Sequence, residues 1–360
     1  MRLLAQTGDL TRELDATSAA QVVYRLADHY AHSGHGDMAA ESFQLLLDQY
    51  PNDPLCRPAL IWLLQYYASG EEAERAPVAA ASGSGAKAGS RLDRAVALAT
   101  QIERTRPDLF AQPAVRFPLA AAYRNQGLPQ QAQRLYAMQN RGAAGDAWWA
   151  CAQGELWLAQ PKGPGPKPSV SCVAAAVKPR LDGRLDDAVW QQAKPVALVS
   201  SLHDDAQWPA AVMLAHDAEF LYIAVSCRQA PGAHYEAAHG PRGRDSDLSA
   251  HDRVDVLIDL DRDFASYYRL TIDHRGWTHD SCRGDSSWDP TWFVAAETRE
   301  GVWTAEAAIP LKQLTNRPPA AGTVWAIGLQ RTVPGVGFQS WTTPAATRVV
   351  PEGFGYLIFE

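Results

Sequence analysis

The stretch from residue 181 to residue 360 decides the fold. It opens with Leu-Asp-Gly-Arg-Leu-Asp-Asp-Ala-Val-Trp (Leu181–Trp190) and continues through Phe-Leu-Tyr-Ile-Ala-Val (Phe220–Val225) and Asp-Arg-Val-Asp-Val-Leu-Ile-Asp (Asp252–Asp259). Trp-Thr-Ala-Glu-Ala-Ala-Ile-Pro (Trp303–Pro310) and Phe-Gly-Tyr-Leu-Ile-Phe (Phe354–Phe359) follow. Leu221, Ile223 and Val225 alternate with Tyr222 and Ala224, and Val254, Val256, Ile258 and Leu260 alternate with Asp255 and Asp259. A period of two places one set of side chains on each face of a strand. Further runs at Tyr268–Ile272, Val324–Leu329 and Gly355–Phe359 are separated by Gly, Pro and Asp. Short strands with such turns predict two packed antiparallel sheets, a β-sandwich, over residues 170–360. Only Asp186–Ala193 reads as a helix here, with Asp186 as its cap and Trp190 as its anchor in the core.

Upstream the period becomes helical. Residues 20–53 resemble the tetratricopeptide repeat, a helix pair of roughly 34 residues. Leu26, Ala27 and Tyr30 supply a large, a small and an aromatic residue on the first helix; Gly34 opens the turn, Ala39 and Phe43 pack from the second, and Pro51 closes the unit. A second unit begins near Asp53 and resumes at Arg91. Between them, residues 70–90 are rich in Ala, Gly, Ser and Glu and are expected to form a disordered insertion. Leu119, Ala120, Tyr123, Gly127, Ala132 and Tyr136 repeat the spacing, and a last helix at Ala147–Gln160, carrying Gly154 and Trp157, is expected to cap the stack. Residues 1–160 thus read as a helical array. Such an array either holds a protein partner in a groove or merely spaces the sandwich. Residues 161–169 alternate Pro, Gly and Lys and read as a semi-stiff tether.

Bulk properties exclude several classes. The chain has 360 residues, 46% hydrophobic and 20% charged, with a formal net charge of -7. Acidic and basic groups are spread over both halves, so neither a nucleic-acid footprint nor a polybasic membrane patch is present. No apolar run is long enough to span a membrane. The first ten residues lack the apolar core of a signal peptide. The five cysteines form no Cys-x-x-Cys pair, which argues against a zinc or redox dithiol motif.

The ordered segments from Leu181 to Phe359 resemble a family 9 carbohydrate-binding module, within the wider DOMON-like group. That resemblance implies a jelly-roll-like sandwich, a glycan end held between two tryptophans, and bound calcium in some relatives. Sugar rings have apolar C–H faces that stack on aromatic planes and hydroxyls that need polar partners. Of the tryptophans in this half, Trp190, Trp303 and Trp325 sit in regular patterns and read as core. Trp208, Trp277, Trp288, Trp292 and Trp341 sit in turn-rich segments. Trp288 and Trp292, in Ser-Ser-Trp-Asp-Pro-Thr-Trp, and Trp341, in Gly-Phe-Gln-Ser-Trp-Thr-Thr-Pro, are the expected platforms. The resemblance places a second binding tryptophan near Trp341. Arg331, Arg253, Asp252, His251 and Gln339 are the polar candidates. Arg331 either forks onto two hydroxyls or forms an ion pair, and pairing with each other is the alternative role for Asp252 and Arg253. Asp259, Asp261 and Asp263 alternate oxygen ligands and point to a structural calcium ion, although they form no EF-hand.

Enzyme readings are weaker. Glu306 with Asp255 would supply the two carboxylates of a glycosidase, but Glu306 lies on a strand inside a motif of binding modules. No nucleophile elbow, zinc-protease or phosphate-loop motif occurs. Haem is disfavoured because Met213 and His216, three residues apart on one strand, face opposite ways. The expectation is a non-catalytic protein that binds a polysaccharide or cell-surface glycan. It would act outside the cytoplasm, with its export signal outside this chain; a cytoplasmic protein is the other reading of the same amino terminus. A protein-assembly scaffold that no longer binds sugar is the alternative.

Overall fold

The computed structural model describes residues 14–75, 88–139, 145–237, 240 and 245–360. Contacts divide the chain into two compact units, residues 1–141 with 284–288, and residues 142–283 with 289–360.

The first unit is helical. Its helices are α1 (Ala16–His32), α2 (Gly36–Gln49), α3 (Cys56–Ala68), α4 (Gly70–Arg75), α5 (Ala88–Thr105), α6 (Pro107–Phe110), α7 (Pro113–Asn125) and α8 (Pro129–Gln139). Asp15 caps α1 by accepting the backbone N–H groups of Thr17 and Ser18 at 3.1 and 3.0 Å. Gly34 turns the chain between α1 and α2 at φ +78°, a conformation that glycine adopts without strain. Ala20, Val23, Ala27, Ala39, Phe43 and Leu46 form one buried cluster with Leu63 and Tyr66 of α3. Small residues let the helices approach, and the rings of Phe43 and Trp62, 4.9 Å apart, fill the remaining space.

The expected disordered insertion at 70–90 is corrected at both ends. Gly70–Arg75 form α4, and residue 88 already begins α5; residues 76–87 lie outside the described residues. Ser69 explains the early helix, because its hydroxyl accepts the Glu72 N–H at 3.1 Å. Arg91 then ties α5 back through the carbonyls of Glu72 and Tyr66.

The second unit begins with α9 (Ala147–Ala159) and continues into β1 (Ser169–Ala174), α10 (Ala188–Gln192), β2 (Val196–Leu198), β3 (Ala210–His216), β4 (Phe220–Arg228), β5 (Arg253–Asp259) and β6 (Tyr268–Asp273). It ends with β7 (Thr278–Cys282), β8 (Phe293–Arg299), β9 (Val302–Pro310), β10 (Val324–Val333), β11 (Gly337–Ser340) and β12 (Gly355–Phe359). The strands run in the order β7-β6-β5-β10-β12-β1-β3-β4-β9-β8, with β11 beside β10 and β2 beside β3. Here the structure departs from a purely antiparallel sandwich. β1 pairs in parallel with β12 through residues 169–172 and in parallel with β3 through residues 173–174. One strand therefore belongs to both sheets, and the whole is a single sheet curled over its own core.

Register fixes the core. Val256 lies opposite Leu270 and Leu329, and Ile258 opposite Tyr268 and Ile327. On the other sheet, Ile223 lies opposite Leu214 and Ala307, and Cys227 opposite Trp303. All are buried.

Two predicted boundaries move. Asp187, not Asp186, stands at the N-cap of α10, and its carboxylate accepts the Arg180 N–H at 3.0 Å instead of capping the helix. The helix at 147–159 groups with the sheets. The Glu155 carboxylate accepts Arg262 Nε at 2.9 Å and the Tyr356 hydroxyl at 3.3 Å, and Gly154 leaves the space that the Tyr356 hydroxyl occupies. The expected tether is likewise packed. Lys167 is buried with its Nζ on the Glu352 carbonyl at 2.9 Å, and the Pro168 carbonyl accepts the Tyr356 N–H at 2.9 Å.

Candidate functional site

The structure brings together Arg331, Asp252 and Gln339, but faces them inward. Arg331 and Gln339 lie opposite each other on β10 and β11. Arg331 Nε and Nη2 fork onto the Asp252 carboxylate at 2.8 and 2.6 Å. Nη1 donates to the Trp208 carbonyl at 2.9 Å and Gln339 Oε1 at 3.4 Å, and Nη2 also reaches the Arg228 carbonyl at 2.7 Å. A guanidinium has five N–H donors, and all five are used. Asp252 in turn accepts Trp303 Nε1 and the Tyr235 hydroxyl, both at 2.8 Å. Burial opposes the Arg331 charge, but the bonds and charge of Asp252 outweigh it and hold its pKa above the ordinary value. The trio is a closed internal strut with nothing left for a sugar. Arg253 does not pair with Asp252; its guanidinium holds the carbonyls of Leu248, Ser249 and His251.

Two of the three expected platforms are also covered. Trp288 and Trp292 are 8% and 5% exposed, and Trp292 Nε1 donates to Asp280 at 3.1 Å. A ring without a free face cannot stack on a ligand. Trp341 differs. It is half-buried, its N–H donates to the Leu329 carbonyl at 3.0 Å, and its ring lies against Gly355.

The sheet also carries a polar set that pattern reading missed. Asp255 on β5 lies opposite Thr271 on β6 and Gln330 on β10, on the face turned away from Val256, Leu270 and Leu329. Ser340 lies opposite Gln330 and leads directly into Trp341. The Asp255 carboxylate accepts Arg269 Nε and Nη2 at 3.0 and 2.9 Å, Thr271 Oγ1 at 2.6 Å and Gln330 Nε2 at 3.2 Å. Arg269 is thereby positioned through two of its five donors. Its side chain remains 30% exposed, and Nη1 makes no hydrogen bond within the described protein. Gln330 Oε1 is likewise left to accept. Burial works against the Arg269 charge, but Asp255 raises its pKa above the usual value. Tyr267 is half-buried, with its ring edge against Phe354 and Arg269, Asp255 and Arg348 as its charged neighbours. A fixed cation and a free acceptor are groups a polyhydroxylated ligand needs. The available signal was parity: Asp255, Thr271 and Gln330 all interrupt apolar strands on the same alternate positions. Only register shows that those positions are neighbours.

The acidic loop is used differently from the expectation. Asp263 accepts the N–H groups of Ala265 and Ser266 and the Ser266 hydroxyl, at 2.7 to 2.8 Å, so it shapes its own turn. Burial pushes its carboxyl above the ordinary range. Asp263 thus spends acceptors of both carboxylate oxygens on its own turn. Asp259 and Asp261 do bring carboxylate oxygens within 4.8 Å of one another.

Glu306 has a structural task. Its carboxylate accepts Trp190 Nε1 at 2.8 Å and the N–H groups of Asp182 and Gly183 at 3.1 and 2.9 Å. It thereby pins the segment Leu181–Trp190 over Tyr222, Ala224 and Ala308. Asp255 on β5 spends its own carboxylate on Arg269, Thr271 and Gln330, so each of the two acids is held by partners of its own. Met213 joins that outer cluster while His216 packs on Phe359, which agrees with their opposite facing.

Comparison with curated proteins finds no match. Among solved structures, a carbohydrate-binding module of family 9 from Caldicellulosiruptor kristjanssonii in complex with cellotriose shares 16% identity over 54% of this chain and 94% of its own, with a TM-score of 0.43. A second structure of a family 9 module from the same organism, in complex with glucose, shares 15% identity over 54% of this chain and 96% of its own, with a TM-score of 0.41. A putative carbohydrate-binding protein from Bacteroides uniformis shares 15% identity over 54% of this chain and the whole of its own, with a TM-score of 0.42. The family model described as "Carbohydrate family 9 binding domain-like" matches residues 181–335, the part of the chain that carries β2 to β10 of the curled sheet.

Proposed function

We propose that the C-terminal domain binds a carbohydrate without transforming it, at the face formed by Asp255, Arg269, Thr271 and Gln330, with Trp341 as the stacking platform. The observation that carries this reading is the unfinished hydrogen bonding of a rigidly held group. Arg269 is locked by Asp255 yet keeps Nη1 free on its exposed side. A pre-positioned donor costs little further entropy when a hydroxyl meets it. The match to a carbohydrate-binding family supports the substrate class. Trp341 is retained from the expected platforms, whereas Trp288, Trp292, Arg331 and Gln339 are replaced by the set around Asp255. The ligand in this reading is a polysaccharide or a cell-surface glycan, and the protein acts outside the cytoplasm. The helices of the first unit, read as tetratricopeptide-like, serve as a scaffold or hold a protein partner. Asp259 and Asp261 remain the candidates for a structural calcium ion.

A glycan-array screen of the whole chain, with and without calcium, tests the proposal beside Trp341→Ala and Arg269→Ala. Binding that weakens by at least about tenfold in both variants, with unchanged circular dichroism, is expected, since each loses on the order of 1.4 kcal/mol or more. A folded wild-type protein that binds no glycan would leave the assembly scaffold as the better account.

A further inference from the structure

A second cluster of ligand-bearing side chains lies one row along the same sheet and is independent of the carbohydrate reading. His251 immediately precedes Asp252 and β5, Asp273 ends β6, and His274 opens the β6–β7 hairpin. One ring nitrogen from each histidine and one oxygen of Asp273 lie within 4.8 Å of one another. Backbone bonds hold all three: His274 N–H to the Asp252 carbonyl, His251 N–H to the Leu248 carbonyl and Asp273 N–H to the Trp277 carbonyl, each at 3.0 Å.

His274 gives the cluster its chemistry. It is 6% exposed, and Tyr235 packs edge-on against its ring at 5.1 Å. Nε2 contacts the Glu236 carbonyl at 3.1 Å. A carbonyl only accepts, so Nε2 carries the proton and a neutral ring keeps its lone pair on Nδ1. Nδ1 is buried and has no partner among the described residues. A buried acceptor left unmade costs roughly 1–3 kcal/mol. An imidazole whose far nitrogen donates to a carbonyl is also the arrangement that orients a metal ligand.

We propose that His251, Asp273 and His274 bind a divalent transition ion of the zinc class, taken up in exchange for the Arg275 guanidinium. Two imidazoles and a carboxylate suit zinc, nickel or copper, whereas calcium favours oxygen alone. Asp273 is at present saturated: Oδ1 accepts the N–H groups of Arg275 and Trp277, both at 2.9 Å, and Oδ2 accepts Arg275 Nε and Nη2 at 2.8 and 2.6 Å. The ion therefore displaces the guanidinium from Oδ2, leaving Oδ1 to shape the turn. Arg275 already packs over the Trp277 ring, 4.3 Å from its centroid, a surface along which it can withdraw. Metal bonds of about 2.0–2.2 Å require the ligand atoms to close from their present spacing. His251, half-buried on a connecting segment, is the group free to move.

Zinc titration of the whole chain by calorimetry, with calcium as the control ion, tests the exchange in His251→Ala, His274→Ala and Arg275→Ala. Wild type is expected to take one zinc ion. His251→Ala and His274→Ala should each weaken it by about tenfold or more. Arg275→Ala should tighten binding, because it removes the competing cation. Circular dichroism confirms folding, and the half-buried His251→Ala carries the test where His274→Ala fails to fold. Zinc affinity unchanged by His251→Ala, no zinc uptake by wild type, or weaker binding in Arg275→Ala would each overturn the proposal. Because glycan binding is read separately, its failure leaves this result intact.

Discussion

At the scale of single residues, burial decides what a charged side chain can do. Arg331 and Arg269 both fork onto an aspartate from the same curled sheet, yet only Arg269 keeps a donor and solvent exposure. Arg331 is a strut, and Arg269 is available to a ligand. Glu306 belongs with Arg331. Burial pushes its carboxyl above the ordinary value, ahead of the opposing bonds from Trp190, Asp182 and Gly183. The native state therefore holds the Glu306 proton more tightly than the unfolded chain does. Stability from this group is present at low pH and is lost as pH rises through the raised value. Urea unfolding of wild type and Glu306→Gln across the range from pH 4 to pH 7 should show the wild-type advantage shrinking as pH rises, in keeping with that linkage, roughly over the interval between the two carboxyl pKa values. An advantage that grows with pH would show that the three donors hold the ionised form instead.

At the scale of elements, small substitutions in helices mark what packs on them. Pro118 lies inside α7 and cannot donate to the Ala114 carbonyl; Gln65 Nε2 from α3 reaches that oxygen at 3.4 Å. Gly154 in the middle of α9 is a similar concession to a neighbour. Alanine is a better helix former by roughly 1 kcal/mol, but a Cβ here would meet the Tyr356 hydroxyl at 2.1 Å. Gly154→Ala should therefore destabilise the second unit by about 1–3 kcal/mol through overpacking. Urea denaturation reads the sign directly, and a stabilised variant would mean that α9 does not dock on β12 as described.

At the scale of the molecule, β1 joins the two halves of the sheet, and α9 belongs to that body. The buried faces of Cys151, Ala152, Gly154 and Glu155 pack there, and Lys167 and Pro168 continue the contact. A fragment of residues 161–360 should consequently melt lower than one of residues 145–360, by at least about 2 °C if α9 contributes about 1–2 kcal/mol. Equal melting temperatures by differential scanning calorimetry would return α9 to the helical unit. No described helix is long and apolar enough to cross a membrane.

The sequence by itself determined the class of each half, because periodicity is local. Val254, Val256 and Ile258 can alternate with Asp255 only on a strand with one apolar face, and Ala27, Tyr30, Ala39 and Phe43 carry the small-and-large spacing of paired helices. It also singled out Leu181–Trp190 and Glu306 as parts of one pattern, though not that a carboxylate joins them. The candidate site was legible only in part. Trp341 could be named from its turn-rich setting, but Trp288 and Trp292 share that setting and are buried. Asp255, Thr271 and Gln330 are up to 75 residues apart along the chain and meet only through the pairing of β5, β6 and β10. Exposure and strand register are long-range properties, set by which strand lies beside which. They alone separated a saturated arginine from one with a donor left to offer.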